Sequence, residues 1–362
     1  MPQSKYFRFI LWILAIFLVI AVGSRISFIF RPLVVLITTL AAPVIIAGVL
    51  YYIISPIVRF LSRFKIPRVI SILFIYLVII GLITLVILGI GPVVYDQFIS
   101  FINSMPSLVK ELGMQLDKFQ NSRLFERLNL NDISYNDITN RFSQSIGTLT
   151  TSIGNNIVSI ISSITSTVVV IVTVPFILFY MLKDGDKLPN RILRFLPHEH
   201  RAEGQKILTD MDQALSGYIQ GQMIVSLFDG ILIYIWYEVI GLDYALILAL
   251  AILFTNVIPF IGPFIGTAPG VIVAFIQSPI LALYVVIGVV IVQQIESNLI
   301  SPLVMGKRLD VHPLTIIFLL LVAGNLAGIL GMLLAIPTYA VAKVIVTRSY
   351  RLIMLRFQNK VI

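Results

Sequence analysis

The sequence predicts an all-α, polytopic helical membrane protein with about eight hydrophobic segments and an extracytoplasmic helical arm. Three observations carry the prediction. Hydrophobic residues make up 58% of the 362 and charged residues 12%, about half the ~25% of soluble domains. Mean hydropathy is +1.00, and a soluble domain cannot cover its surface with so few charges. The apolar residues come in stretches of 15 to 30. That excludes a disordered chain and the ~10-residue alternating strands of an outer-membrane barrel.

The hydrophobic segments fall at about 9–24, 32–54, 69–93, 156–182, 217–240, 244–276, 280–300 and 312–347. Lys5 and Arg8 precede the first as in a secretory signal. More spans follow at once without a clear cleavage motif, so it reads as a signal anchor. With the N-terminus placed in the cytoplasm, stretches 1–8, 55–68, 183–216, 301–311 and 343–362 hold 19 of the 26 lysines and arginines. Stretches 25–31 and 94–155 hold the other 7. The positive-inside rule therefore expects both termini in the cytoplasm, with Arg59, Arg63, Lys65 and Arg68 as the clearest marker. The net charge of +9 fits basic loops beside anionic lipid and needs no nucleic-acid partner. The chain divides into three N-terminal spans (1–93), the arm (94–155), a fourth span (156–182), a basic cytoplasmic loop (183–216), a C-terminal transport core (217–347) and a basic tail (348–362).

Segments 244–276 and 312–347 have the wrong length. As straight helices they would measure ~50 Å against a hydrocarbon core of ~30 Å. Each carries helix breakers at its centre: Pro259, Gly262, Pro263, Gly266 and Pro269 in the first, Gly324, Gly328, Gly331 and Pro337 in the second. Half-length helices around such a break suggest re-entrant hairpins or broken helices. Two hairpins place Lys307 and Arg308 in the cytoplasm, whereas two single spans place them outside. Six full spans plus two opposed hairpins is thus preferred to eight plain spans. A weak repeat agrees, although chance similarity between Gly-rich segments would also produce it. Asn256 precedes Gly262 by six residues and Pro269 by thirteen; Asn325 precedes Gly331 by six and Pro337 by twelve. Gly262 with Gly266, and Gly324 with Gly328, have the spacing that lets helix backbones approach closely.

In the arm, Phe98, Ile102, Met105, Val109, Leu112, Leu116 and Phe119 form a heptad seam. Ser134 and Asp137 have capping-box spacing ahead of a second apolar face, Ile138, Phe142, Leu149, Ile153 and Ile157. Two amphipathic helices packed as an antiparallel arm are expected, serving either intramolecular packing or a subunit contact.

Ionisable groups inside a membrane are costly, so they are the functional candidates. Asp229 sits mid-segment; Glu296 lies among Gln293, Gln294 and Asn298; Asn256 and Asn325 sit beside the two breaks. Gln293 is one helical turn before Glu296, on its face. Other readings stand beside these. Glu296 is equally an interfacial carboxylate near Lys307 and Arg308, Asp229 a structural hydrogen-bonding residue, and the asparagines partners for broken backbone. The sequence has no cysteine and no Walker A, Rossmann, HExxH or GxSxG pattern, so ATP-driven transport and hydrolysis of those classes are not expected. No cofactor, metal centre or catalytic residue is assigned. His198 and His200, two apart on a basic loop, make a poor metal site.

Several motifs carry a resemblance. They are Lys183-Asp184-Gly185, Leu196-Pro197, Gly217-Tyr218 with Gly221-Gln222, NVIPFIGPFIG at 256–266, QQIESNLISPLVMGKRLDVHPL at 293–314, and GNLAGILGMLLAIP at 324–337. In these the chain resembles the autoinducer-2 exporter family of bacterial membrane proteins, over nearly its whole length and most specifically in the C-terminal half. The resemblance implies a multi-pass protein of the bacterial cytoplasmic membrane, export of the signal autoinducer-2 or sodium/proton antiport without ATP, and a homo-oligomer such as a pentamer. The first expectation is a secondary transporter exporting a small solute by alternating access. Glu296 would be the coupling carboxylate and Asp229 its auxiliary, with the broken segments meeting near the midplane. The second is a sodium(lithium)/proton antiporter; the third is a channel or non-transporting scaffold.

Overall fold

The computed structural model describes residues 10–15, 17–18, 27–120, 170–305 and 311–358. No strand occurs among them. Helix α1 (Ser27–Ser62) runs through Pro32, Pro43 and Pro56, which membrane helices tolerate because neighbouring groups satisfy the freed carbonyls. Helix α2 (Arg68–Gly89) starts directly after Pro67, and α3 (Gly91–Gln120) follows it into the arm. Helix α4 covers 170–184. Short helical turns between Gly185 and His200 lead into α5 (Arg201–Val239), the longest uninterrupted helix described.

Helix α6 (Ala245–Thr255) and α7 (Ile261–Gln277) flank the first break. Helix α8 (Pro279–Ile295) begins with Ser278, whose Oγ accepts from the Leu281 N–H at 3.2 Å, a side-chain N-cap before a proline at the first position. A single π-helical turn, Glu296–Ile300, and a last turn, Ser301–Met305, extend it. The final helix, Pro313–Gln358, is interrupted at Ala327 and Gly328; its halves are α9 (313–326) and α10 (329–358). Five of the described helical stretches are long and apolar enough to cross a membrane.

Both long apolar segments reverse direction at their breaks. In the first, a Cβ on Gly262 would lie 2.0 Å from the Thr255 carbonyl oxygen, and one on Gly266 would lie 2.7 Å from Ile252 Cα. Helix α7 therefore lies against α6 with backbone touching backbone. Phe260 at the turn has φ 63°, a strained value for a residue with a Cβ. In the second, a Cβ on Gly331 would lie 2.1 Å from the Ala323 carbonyl oxygen. Eight residues of straight helix would separate those positions by ~12 Å. Gly328 has φ 59° and ψ −142°, a region open essentially to glycine alone. Pro269 and Pro337 are not part of either turn; each lies inside a returning helix.

Clusters of buried side chains hold the described helices together. Ala47, Ile54 and Val58 of α1 pack with Ile72 of α2 and Leu178 and Leu182 of α4. Ile233 and Tyr237 of α5 pack with Leu248 and Ile252 of α6, Val273 of α7 and Val285 of α8. Ile258 from the first break shares a cluster with Leu320 of α9 and Ala335 of α10, so the two hairpins meet. Lipid is as apolar as leucine, so these contacts act through close packing more than through release of water.

The first arm helix docks within its own chain. Phe101 meets Tyr244 edge to face at 5.3 Å, Tyr244 donates its hydroxyl proton to Ser104 Oγ at 3.0 Å, and Gln97 Oε1 accepts from the Ile247 N–H at 3.3 Å. The side chains of Val109, Leu112, Leu116 and Phe119, and the second arm helix with Ser134 and Asp137, lie outside the described residues. So do the first nine residues and Lys307 and Arg308.

Candidate functional site

Helix α5 carries Gln222, Ser226 and Asp229 at i, i+4 and i+7, on one face, and all three are buried. Opposite them sits the tip of the first hairpin. Asn256 follows the last residue of α6, 1% exposed. Its Nδ2 donates to Asp229 Oδ2. Its own carbonyl, left without a helical partner where the chain breaks, accepts from Gln222 Nε2 at 2.7 Å. Two side chains of α5 thus clamp one tip residue, through its amide and through its backbone.

Asp229 is 1% exposed, and its Oδ1 finds no N–H or O–H donor. The other ionisable group that acts on the Asp229 carboxyl is the neighbouring carboxyl of Glu296. Glu296 opens the π-helical turn at the end of α8. Such one-turn widenings recur at functional sites because they redirect a side chain without ending the helix. Gln293 stands one turn earlier on the same helix and acts on the Glu296 carboxyl. Two neighbouring carboxylates repel, so such a pair holds a proton more readily than either acid alone. Among the described residues no lysine or arginine forms an ion pair with either.

The structure therefore brings Asp229, Asn256, Glu296 and Gln293 together. Gln294 and Asn298 are exposed and bond to each other, Asn298 Nδ2 donating to Gln294 Oε1 at 3.0 Å. Asn325 is exposed one residue before the end of α9. Of the glycines and prolines of the breaks, Gly262, Pro263 and Gly266 are buried against α6 just beyond the tip. Pro259 stands in the turn itself, its carbonyl accepting from the Ile261 N–H at 2.7 Å. Gln222 and Ser226 join the site without having been singled out as ligands from sequence; their helical spacing from Asp229 is the signal that locates them.

The set comprises two acids, four amide or hydroxyl side chains and one freed carbonyl. All can accept or pass a proton or coordinate a cation, and none is a nucleophile poised beside a base. Residues 9–351 match the family model described as AI-2E family transporter. The chain is 44% identical to "Putative transport protein YueF" of Bacillus subtilis (strain 168) over 361 residues, 99% of this chain and 98% of that one. It is 33% identical to "Putative transport protein YrrI" of the same organism, over 96% of this chain and 98% of the relative. It is 27% identical to "Putative permease PerM" of Escherichia coli (strain K12), over 92% of each. With a match this long and a relative this similar, the chain belongs to the AI-2E family of membrane transport proteins.

Proposed function

We propose that the protein is a secondary transporter that exports a small solute by alternating access, coupled to a proton or cation gradient through the Asp229–Glu296 pair. The observation that carries this reading is the meeting of the two carboxyls beside the hairpin tip. One acid comes from α5 and the other from α8, and Asn256 touches the first from the break in the chain. An acid pair holding one proton inside a membrane can release it when a cation or a solute rearrangement takes its place. Because Asn256 bonds both Asp229 and Gln222, a change in the pair's charge is felt at once by the hairpin. That is a direct link between protonation and movement of a half-length element.

The sodium(lithium)/proton antiporter reading is favoured by the same oxygen-rich set, since two carboxylates and side-chain oxygens suit a small hard cation. Flux measurements in proteoliposomes with a pH dye inside separate the readings. For the antiporter, sodium or lithium pulses move protons in the wild type. Glu296→Gln and Asp229→Asn each lower the exchange at least tenfold. For a solute exporter, the cations alone give no signal, and labelled autoinducer-2 moves with a proton gradient in the wild type but not in the variants. Unchanged transport in both variants would remove the pair from the mechanism.

A further inference from the structure

A cavity of about 890 Å³ lies at the other end of α5, bounded by α1, α4 and the first turns of α5. It is separate from the carboxyl pair: its α5 lining ends at Leu215, fourteen residues and so ~21 Å of helix before Asp229. Its walls are largely apolar, from Phe176, Ile177 and Met181 on α4 to Leu208, Met211 and Leu215 on α5. Phe176 and Tyr180 are 65% and 59% exposed, so the described residues leave this apolar surface uncovered.

The charges that line the cavity are two arginines, Arg59 and Arg191, and three acids, Asp184, Asp186 and Asp212. Asp186 pairs with Arg68 and Asp184 pairs with Lys187 at 2.7 Å, while Asp212 acts on Tyr52 across the cavity. Arg59 and Arg191 act through their charge on Asp186 and Asp184. Arg59 donates its Nε to Ser55 Oγ at 3.1 Å, and among the described residues neither Arg59 nor Arg191 forms an ion pair. Guanidinium forks of this kind match phosphate oxygens two at a time. The basic end of the bundle, where Arg63, Lys65 and Arg68 also lie, is the end that the positive-inside rule places beside the anionic inner leaflet.

We infer that this cavity binds one anionic phospholipid, its phosphodiester held by Arg59 and Arg191 and its acyl chains laid along the apolar wall of α4 and α5. The volume falls within the range of sites that take a molecule of some tens of atoms. A soluble phosphate ester shares the headgroup chemistry but has nothing to cover Phe176, Ile177 and Leu208.

The test uses the full chain in detergent, titrated separately with phosphatidylglycerol, phosphatidylcholine and glycerol 3-phosphate. Adducts are counted by native mass spectrometry. The expected result is one phosphatidylglycerol retained under conditions that strip phosphatidylcholine, and no saturable binding of glycerol 3-phosphate. Arg59→Gln with Arg191→Gln should weaken retention about 30-fold, the factor that two interfacial basic residues supply. Arg63→Gln, exposed on the same end and outside the cavity, should leave it unchanged. Leu208→Trp keeps both arginines and fills the slot; it should also expel the lipid, and it serves where the double variant does not fold. Equal retention of the two lipids, or retention undiminished in both the double variant and Leu208→Trp, would overturn the inference. So would glycerol 3-phosphate displacing the lipid at equal affinity, which would make this a site for soluble anions.

Discussion

Arg68 ties α2 to the end of α4 in two ways. Its Nε donates to the Leu182 carbonyl at 2.6 Å, closing one of the carbonyls a helix end leaves open, and its Nη1 pairs with Asp186. The hydrogen bond from Arg68 holds the Asp186 carboxyl below the usual carboxylate range, against the opposing effect of partial burial. A depressed folded value has a definite sign. The pair's contribution is present above the ordinary range near ~3.9 and is lost as pH falls through the depressed value. Asp186 is 53% exposed, so the contribution is that of a surface pair. Asp186→Asn should lower stability by about 0.2–1 kcal/mol near neutral pH, with the gap closing on acidification. Thermal unfolding of both proteins from about pH 7 to about pH 3 checks this; a gap that stays constant would mean that Asp186 acts other than through its charge. The residues of the candidate site divide by how the sequence marks them. Asp229, Glu296 and Asn256 stand out because polar groups in apolar runs are expensive, and that argument is about energy. Asn325 is marked by its place beside the second break and in the weak repeat, and it is exposed. Gln294 and Asn298 stand near Glu296 in sequence, but each is two residues away, and two residues of helix turn a side chain by about 200°, to the opposite face. A glutamine near the start of a span, such as Gln222, is unremarkable until Asp229 is taken as its i+7 neighbour.

At the scale of elements, the glycines of the two hairpins sort by what their missing Cβ would strike. A Cβ on Gly262 or Gly331 meets a carbonyl oxygen at 2.0 or 2.1 Å, and backbone cannot rotate away. A Cβ on Gly324 meets the end of Met332 at 2.5 Å, a side chain flexible enough to move. A Cβ on Gly81 meets nothing within 4 Å. Alanine should therefore cost about 1–3 kcal/mol or more at Gly262 and Gly331, less at Gly324, and at Gly81 nothing or a gain of up to about 1 kcal/mol from helix propensity. Gly262→Ala should also lower transport, because its Cβ would lie 2.8 Å from Asn256 Cα and push that residue off Asp229. Thermal unfolding in detergent and flux in proteoliposomes test the ranking. Equal effects at Gly262 and Gly81 would mean that the hairpin is not packed as described. The hairpins themselves were legible from a mismatch of lengths, since neither segment fits a bilayer as one straight helix. Which residues make the turns was less so. Prolines look alike in sequence whether they break a helix or ride inside one. Pro259 stands in a turn, whereas Pro269 and Pro337 sit in helices whose lost hydrogen bonds neighbouring groups can satisfy. The strained Phe260 has no sequence signature at all.

In the whole molecule, α5 is the member common to every part. Its first turns border the Arg59–Arg191 cavity, and Asp210 pairs with Arg348 of α10, which donates its Nε at 2.7 Å. Tyr218 and Ile219 cluster with Ile336 of α10 and with Val49 and Ile53 of α1. Its last turns hold Asp229 and the contacts to α6, α7 and α8. The hairpins meet each other through Ile258, Leu320 and Ala335, beside α5. Alternating access in such an arrangement requires either that one hairpin slide against the other or that both move together against α5 and the N-terminal bundle. The sequence is free of cysteine, which lets introduced thiols report without background. If the hairpins slide, Ile258→Cys with Leu320→Cys, bridged by a short bifunctional thiol reagent, should stop transport. Each single variant treated in the same way should retain most of it, and reductive release of a cleavable bridge should restore it. Transport that persists through a complete cross-link would show that the two tips travel as one body, and the moving boundary would then lie between the hairpin pair and α5. There the Asn256 bonds to Asp229 and Gln222 would be the contacts that have to break, and the protonation of the carboxyl pair would set when they do.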